Sequence, residues 1–222
     1  MPVPRIRLRR AVSLLALGVL GPALTAAVAA PAVAAPAQSP AQVRAAHQVR
    51  PAAAPGSTAN LAGTSKTLNI SMQQQQQTNW CWAASGNTIA TWFGYNYSQN
   101  QFCNAAFGRS ANSVCPNNQA TLGDVQNGLN WAGIRPGSYV SGYLNYSTVQ
   151  SEVNADRPIE TRIQWSSGGG HMHVLYGYDT TNNWVYWGDP WPSNYRYNWA
   201  DYWYYVSNGT FSWTHSLYRI GA

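Results

Sequence analysis

Residues 73–93 read QQQQQTNWCWAASGNTIATWF, and they set the frame for the rest of the 222-residue chain. A lone cysteine, Cys81, stands between Trp80 and Trp82 where a helical pattern begins. Trp82, Ala83, Ala84, Ile89, Ala90 and Trp92 fall close to helical spacing, and Gly94 ends the run. Thr78 or Asn79 is expected to cap the first turn, because a side-chain oxygen there can accept from the unpaired backbone N–H groups. A thiol at a helix N-terminus sits in the positive end of the dipole, which favours the thiolate, the nucleophilic form. Gln75 lies six residues upstream of Cys81. An amide N–H at that distance can point at the oxygen of a carbonyl under attack by the sulfur. The plainer reading of Cys81 is a small buried apolar residue, so the local pattern needs support from the remainder of the chain.

The first third of the chain is not globular in composition. Arg5, Arg7, Arg9 and Arg10 precede an apolar stretch at 11–21 and an Ala/Pro run, the pattern of a secretory signal peptide over residues 1–35. The apolar part is too short to span a bilayer, and Arg9-Arg10 raises the twin-arginine export route. Residues 36–66 are rich in Ala, Pro, Gln, Ser and Gly and read as a disordered leader or short propeptide. Six of the thirteen basic residues lie in residues 1–50, leaving seven bases against seven acids from residue 51 onward. The formal charge of +6 therefore says nothing about nucleic acid, and no nucleic-acid partner is expected. Nor is membrane association expected once the signal is cleaved.

Residues 67–222 then form one domain, long enough to bury a core. Its three cysteines divide into two plus one. Cys103 and Cys115 flank an Asn/Ser/Gly-rich loop and suit a disulfide in an oxidising compartment, stabilising by ~2–3 kcal/mol. No CxxC pair exists for zinc, so no metal is expected. Thr121–Ala132 reads as a second helix, with Leu122, Val125 and Leu129 on one face. Tyr139–Tyr146 is ambiguous, and Ser147-x-x-Gln150 fits a capping box opening a short helix before Pro158. The second half changes character: Ile159–Trp165, His171–Tyr178, Trp184–Gly188 and Trp213–Ile220 are short runs rich in Val, Tyr, Trp and Ile. Helices first and an antiparallel sheet second is an α+β plan, with the middle two strands a hairpin across Asp179–Asn183.

Gly168-Gly169-Gly170-His171-Met172-His173 opens that hairpin. With a period of two, His171 and His173 share a face, and the glycines leave room for a substrate backbone. Asp189, in Trp187-Gly188-Asp189-Pro190-Trp191, is placed to orient an imidazole from the neighbouring strand, with Trp191 covering the bond from water. Each piece has a plainer reading: a structural histidine, a common Asp-Pro turn, or two histidines at i, i+2 binding a metal.

Taken together these residues resemble the papain-like cysteine peptidases. The nearest branch is the secreted bacterial one related to plant-pathogen avirulence effector proteases. The resemblance covers about residues 68–220 and rests on three groups. These are Gln75 with Asn79-Trp80-Cys81-Trp82-Ala83-Ala84-Ser85, Gly170-His171 running into Val174-Leu175-Tyr176-Gly177-Tyr178-Asp179, and Asp189-Pro190-Trp191-Pro192. It implies a papain-like fold, with an N-terminal catalytic helix and small helices packed on a C-terminal antiparallel sheet. In such enzymes the catalytic histidine lies six residues before the glycine of a Gly-Tyr pair, which selects His171 here and leaves His173 as runner-up. The resemblance further implies Cys81 as nucleophile, Asp189 as orienting acid and Gln75 as oxyanion donor, with Gln74, Gln76 and Gln77 as alternatives. Trp80, Trp82, Gly170, His173 and Trp191 are expected to line the substrate cleft. The glycine-rich segment of plant papains and their large inhibitory prodomain are missing, so the resemblance bears on the chemistry more than on activation mode or specificity.

The resulting expectation is a secreted, monomeric, cofactor-free peptidase acting on proteins or peptides through a Cys81 acyl-enzyme. Two rivals stand beside it. One is an acyl transferase or cell-wall peptide amidase with the same residues. The other is a catalytically silent module binding carbohydrate or a surface through its 11 Trp and 14 Tyr.

Overall fold

The computed structural model describes residues 64–222. The expected signal peptide and almost all of the expected leader lie outside these residues. The leader boundary at 66 is corrected: β1 (Ser65–Thr67) already belongs to the domain, because its backbone pairs with residues 177–179. Lys66 also bonds Asp156 at 2.7 Å. Composition carries no trace of so short a pairing.

The helical layer begins with α1 (Cys81–Trp92), followed by α2 (Gln99–Ala106) and α3 (Leu122–Trp131). Helix α1 is buried on every side from Trp82 to Ala90, which its small residues permit. It stops at Gly94, whose φ of +91° suits a residue without Cβ. The expected cap is corrected. Trp80 holds the N-cap position with no side-chain bond, because Thr78 and Asn79 are both engaged with Asn117. Helix α2 was not anticipated, although Ser98 and Gln101 form a full capping box; α3 has its own box in Thr121 and Asp124. A disulfide joins Cys103 of α2 to Cys115.

Beyond these lie β2 (Ser138–Val140) and α4 (Tyr146–Asn154), the latter capped by Asn145, two residues before the Ser147 cap expected from its spacing. The sheet follows: β3 (Ile159–Trp165), β4 (Gly170–Asp179), β5 (Trp184–Gly188), β6 (Tyr197–Asp201), the short helix α5 (Tyr202–Val206) and β7 (Phe211–Tyr218). All pairings are antiparallel, in the order β2-β7-β3-β4-β5-β6. Strand β4 is long enough to pair β3 along its first half and β1 at its end. The β4–β5 hairpin turns at 180–183, as the sequence pattern requires. No helix among the described residues is long and apolar enough to cross a membrane.

Much of the aromatic content is core. Tyr205 of α5 packs 4.9 Å from Trp187, 5.7 Å from Phe211 and 5.4 Å from Trp213, ring centre to ring centre. Across the helical layer the key ring is Phe102 of α2, fully buried between α1 and α3. A Cβ on Gly86 would come within 2.6 Å of that ring, and one on Gly128 within 2.7 Å. Both glycines are therefore demanded by space. Gly86→Ala should destabilise the domain by about 1–3 kcal/mol through overpacking. Chemical denaturation measures it, and an unchanged midpoint would show that the ring gives way freely.

Candidate active site

Cys81 is the first residue of α1 and is partly exposed. Its backbone N–H belongs to the first turn, which no side chain caps. His171 is the second residue of β4, and Asp189 follows β5 directly. The structure brings the last two together: His171 Nε2 lies 2.8 Å from Asp189 Oδ1, with both residues at most 5% exposed. The same oxygen accepts from the Trp191 N–H at 2.8 Å, and Oδ2 accepts from Asn194 Nδ2 at 2.8 Å. Burial alone would raise the Asp189 pKa. The charges of His171 and then His173, with their hydrogen bonds, instead hold it well below the usual carboxylate range.

Burial likewise pulls His171 down, but the charge and hydrogen bond of Asp189 prevail. With a smaller contribution from the neighbouring Cys81, they push its pKa up to about 10. With Nε2 on Asp189, Nδ1 is the ring nitrogen left for the thiol. Trp165 stacks on the imidazole at 6.0 Å and Trp191 meets it edge-on at 6.1 Å, so apolar walls shield the ion pair from water.

His173 reaches the same carboxylate, as strand alternation requires, with Nε2 3.5 Å from Asp189 Oδ2. Its other nitrogen lies 3.2 Å from the Tyr205 hydroxyl. Burial lowers its pKa, against the opposing pull of the Asp189 charge. At 2% exposure it sits behind His171 and does not line the cleft, contrary to expectation. His171, His173 and Asp189 present ligand atoms within 4.8 Å of one another, close enough for a metal ion. An ion there would have to displace the 2.8 Å His171–Asp189 hydrogen bond.

Two further expectations are corrected. Gln75 is 4% exposed, and its Nε2 donates to the carbonyls of Gln77 and Thr78 at 2.8 and 2.9 Å. Both amide hydrogens are thus engaged, and Gln75 does not line the cleft. The glutamine run acts as a strap: Gln75 N–H donates to the Pro190 carbonyl, and Gln99 binds Gln73, Gln74 and Gln76. Trp80 and Trp82, 3% and 1% exposed, are core residues whose indole N–H groups bond the carbonyls of Pro116 and Asn118. Trp82 still contributes to the cleft wall; Trp80 does not. Gly170 and Trp191 line the cleft. Arg162, Trp165 and Asn194 line it too, and sequence reasoning missed all three, since only cross-strand register and a loop turn bring them there.

With this geometry in view, comparison with known proteins adds an independent line. A family model described as papain-like cysteine protease AvrRpt2 matches residues 64–205, well over half of the chain. Among solved structures, the chain is similar to the peptidase domain of Streptococcus ComA, described as a bi-functional ABC transporter involved in a quorum sensing pathway. The TM-score is 0.51 at 19% identity, covering 67% of this chain and 96% of that one, a likeness of fold. No curated protein matches by sequence.

One group near the thiol has no counterpart in the expectations above. Glu160 of β3 is fully buried, and neither carboxyl oxygen has a protein partner. Burial, and then the charge of Cys81, hold its pKa well above the ordinary 4.5. Folding then retains a proton that the unfolded chain releases. The associated stability is complete below pH 4.5 and is lost as pH rises toward the folded value. Glu160→Met should remove that loss, flattening the fall in stability between pH 5 and 8. Denaturant melts at the two pH values test it, and parallel pH dependence in both proteins would refute it.

Proposed function

The chain belongs to the papain-like cysteine protease family described by AvrRpt2 and is a cysteine peptidase, and from that premise we propose how it cuts. Cys81 attacks the substrate carbonyl as the thiolate, forming a carbon–sulfur bond and a tetrahedral oxyanion. The uncapped N–H of Cys81 donates to that oxyanion. His171, as imidazolium, delivers the Nδ1 proton to the departing amine, and the C–N bond breaks to leave a thioester. Water then attacks the thioester with His171 as general base, releasing a carboxylic acid and regenerating the thiolate–imidazolium pair. Asp189 orients His171 and stabilises its charge throughout.

The observation that carries this reading is the 2.8 Å His171–Asp189 contact beside Cys81 at the uncapped start of α1. The substrate class is protein or peptide. Export from the cell is part of the proposal, supported by the Arg-rich then apolar residues 1–21 and by a disulfide coexisting with a free thiol. Hydrolysis rather than acyl transfer is the reading adopted, with free carboxylate and amine as its products.

Cys81→Ala should lower kcat by about a thousandfold or more while leaving the melting temperature within a few degrees of the parent. Cleavage at parental rate would remove Cys81 from the chemistry. On the alkaline side, kcat/KM should hold until the pH nears the His171 value of about 10 and fall above it. A fall centred on the ordinary imidazole value of 6.5 would mean that Asp189 does not hold the ring charged, and a rise there that the neutral ring is the working form.

A further inference from the structure

Arg162 lines the cleft and plays no part in the chemistry above. Its guanidinium is held in place by structure built for it. Nη1 donates to Thr214 Oγ1 and Nη2 to Gln164 Oε1, each at 3.0 Å. The Thr214 hydroxyl donates back to the Arg162 carbonyl at 3.1 Å. Thr214 is the residue skipped where the β3–β7 register shifts between Arg162 and Ile163. Such bulges re-aim side chains beside active sites. On the other side lies Gly170, where a Cβ would come within 2.5 Å of Nη2 and 2.7 Å of Cζ. Glycine immediately before His171 is therefore what lets the guanidinium lie there.

No ion pair among the described residues involves that cation. Among the described residues, Glu152 pairs with Arg157, Asp156 with Lys66, and Asp189 with the two histidines. Both acceptors on Arg162 are neutral, and they engage two of its five N–H donors. A half-buried guanidinium ordinarily finds a carboxylate or phosphate partner. Here its field is still felt at His215, whose pKa burial and then the Arg162 charge push down. The open donors share the cleft with Cys81, Trp165, His171 and Trp191.

We propose that Arg162 is an acid-selecting subsite, which takes the side-chain carboxylate of an aspartate or glutamate close to the scissile bond of the substrate. The free edge of the guanidinium supplies the N–H pair that a carboxylate accepts. The proposal rests on the peptidase reading and adds to it the class of peptide cut.

The test uses a peptide that the protein cleaves, prepared in Glu/Gln pairs at each position within about three residues of the cut. At one position kcat/KM should favour Glu by about tenfold, the effect of one hydrogen-bonded charge in a partly open site. In Arg162→Gln that ratio should fall to about twofold or less while the Gln peptide is still cut within a few-fold of the parental rate. Arg162→Lys should retain part of the preference. Gly170→Ala, which keeps the cation but displaces it, should weaken the preference as well. Equal rates for Glu and Gln at every position would overturn the proposal. So would a Glu preference that survives Arg162→Gln. If no peptide is cut by the parent, the peptidase reading fails instead. The subsite is then judged by protection of Cys81 from iodoacetamide: stronger protection by the Glu peptide, lost in Arg162→Gln, supports it, and equal protection overturns it.

Discussion

A carboxylate removed from water must have its charge answered on every side, and Asp189 meets that demand by drawing distant parts of the chain to itself. His171 comes from β4, while Trp191 and Asn194 come from the loop that follows β5. Arg196 donates to the Asp189 carbonyl, and the Asp189 N–H donates to the Arg196 carbonyl, closing the 189–196 segment on itself. The next residue, Pro190, accepts from Gln75 and so ties this segment to the strap that leads into α1. The ion pair, the loop and the approach to the nucleophile therefore form one connected polar network.

That network concentrates groups that a purely structural core would avoid. Gln75 Oε1, Asn194 Oδ1 and both oxygens of Glu160 are buried without a hydrogen-bond partner, and His173 Nε2 has only the Asp189 carboxylate, 3.5 Å away. Three of these residues lie in the strap, the hairpin or the loop that assemble around Asp189, and the fourth feels the charge of Cys81. Each such group costs about 1–3 kcal/mol if its hydrogen-bonding capacity goes unmet. The surrounding aromatic cluster and the Cys103–Cys115 bond supply stability of the opposite sign. Violations of local rules gathered at a reacting centre are the usual mark of function prevailing over stability.

How much of this was legible in the sequence depended on the range over which each feature is encoded. The start of α1 at Cys81, the bounds of β3 and β5 and the turn between β4 and β5 all follow from periodicity and turn residues. The polar composition of 99–106 hid α2, even though Ser98-Gln99-Asn100-Gln101 spells its capping box. Asn145 rather than Ser147 caps α4, a choice between two acceptable residues that spacing could not make. The roles of Gln75, Trp80 and His173 failed for a different reason. Residue type and offset from Cys81 or His171 say where the backbone goes, whereas donors and rings turned toward Gln77, Pro116 and Tyr205. Arg162 needed the pairing of β3 with two neighbours, which no local pattern contains.

The sulfur and the imidazole share no element of secondary structure. Cys81 is carried by the helical layer, itself stapled at Cys103 and anchored through Trp80, Trp82 and Asn117. His171 and Asp189 are carried by the sheet. The gap between the reacting atoms is thus a clearance between two rigid parts, bridged by Ser85 Oγ on the Met172 carbonyl at 3.3 Å and Gln75 N–H on the Pro190 carbonyl at 2.9 Å. The residues that follow the nucleophile inside that joint, Ala83, Ala84 and Ser85, are wholly buried and nearly as small as side chains can be. Alignment of the reactive pair is therefore a machining tolerance of the joint, and larger side chains along this stretch of α1 would act as shims.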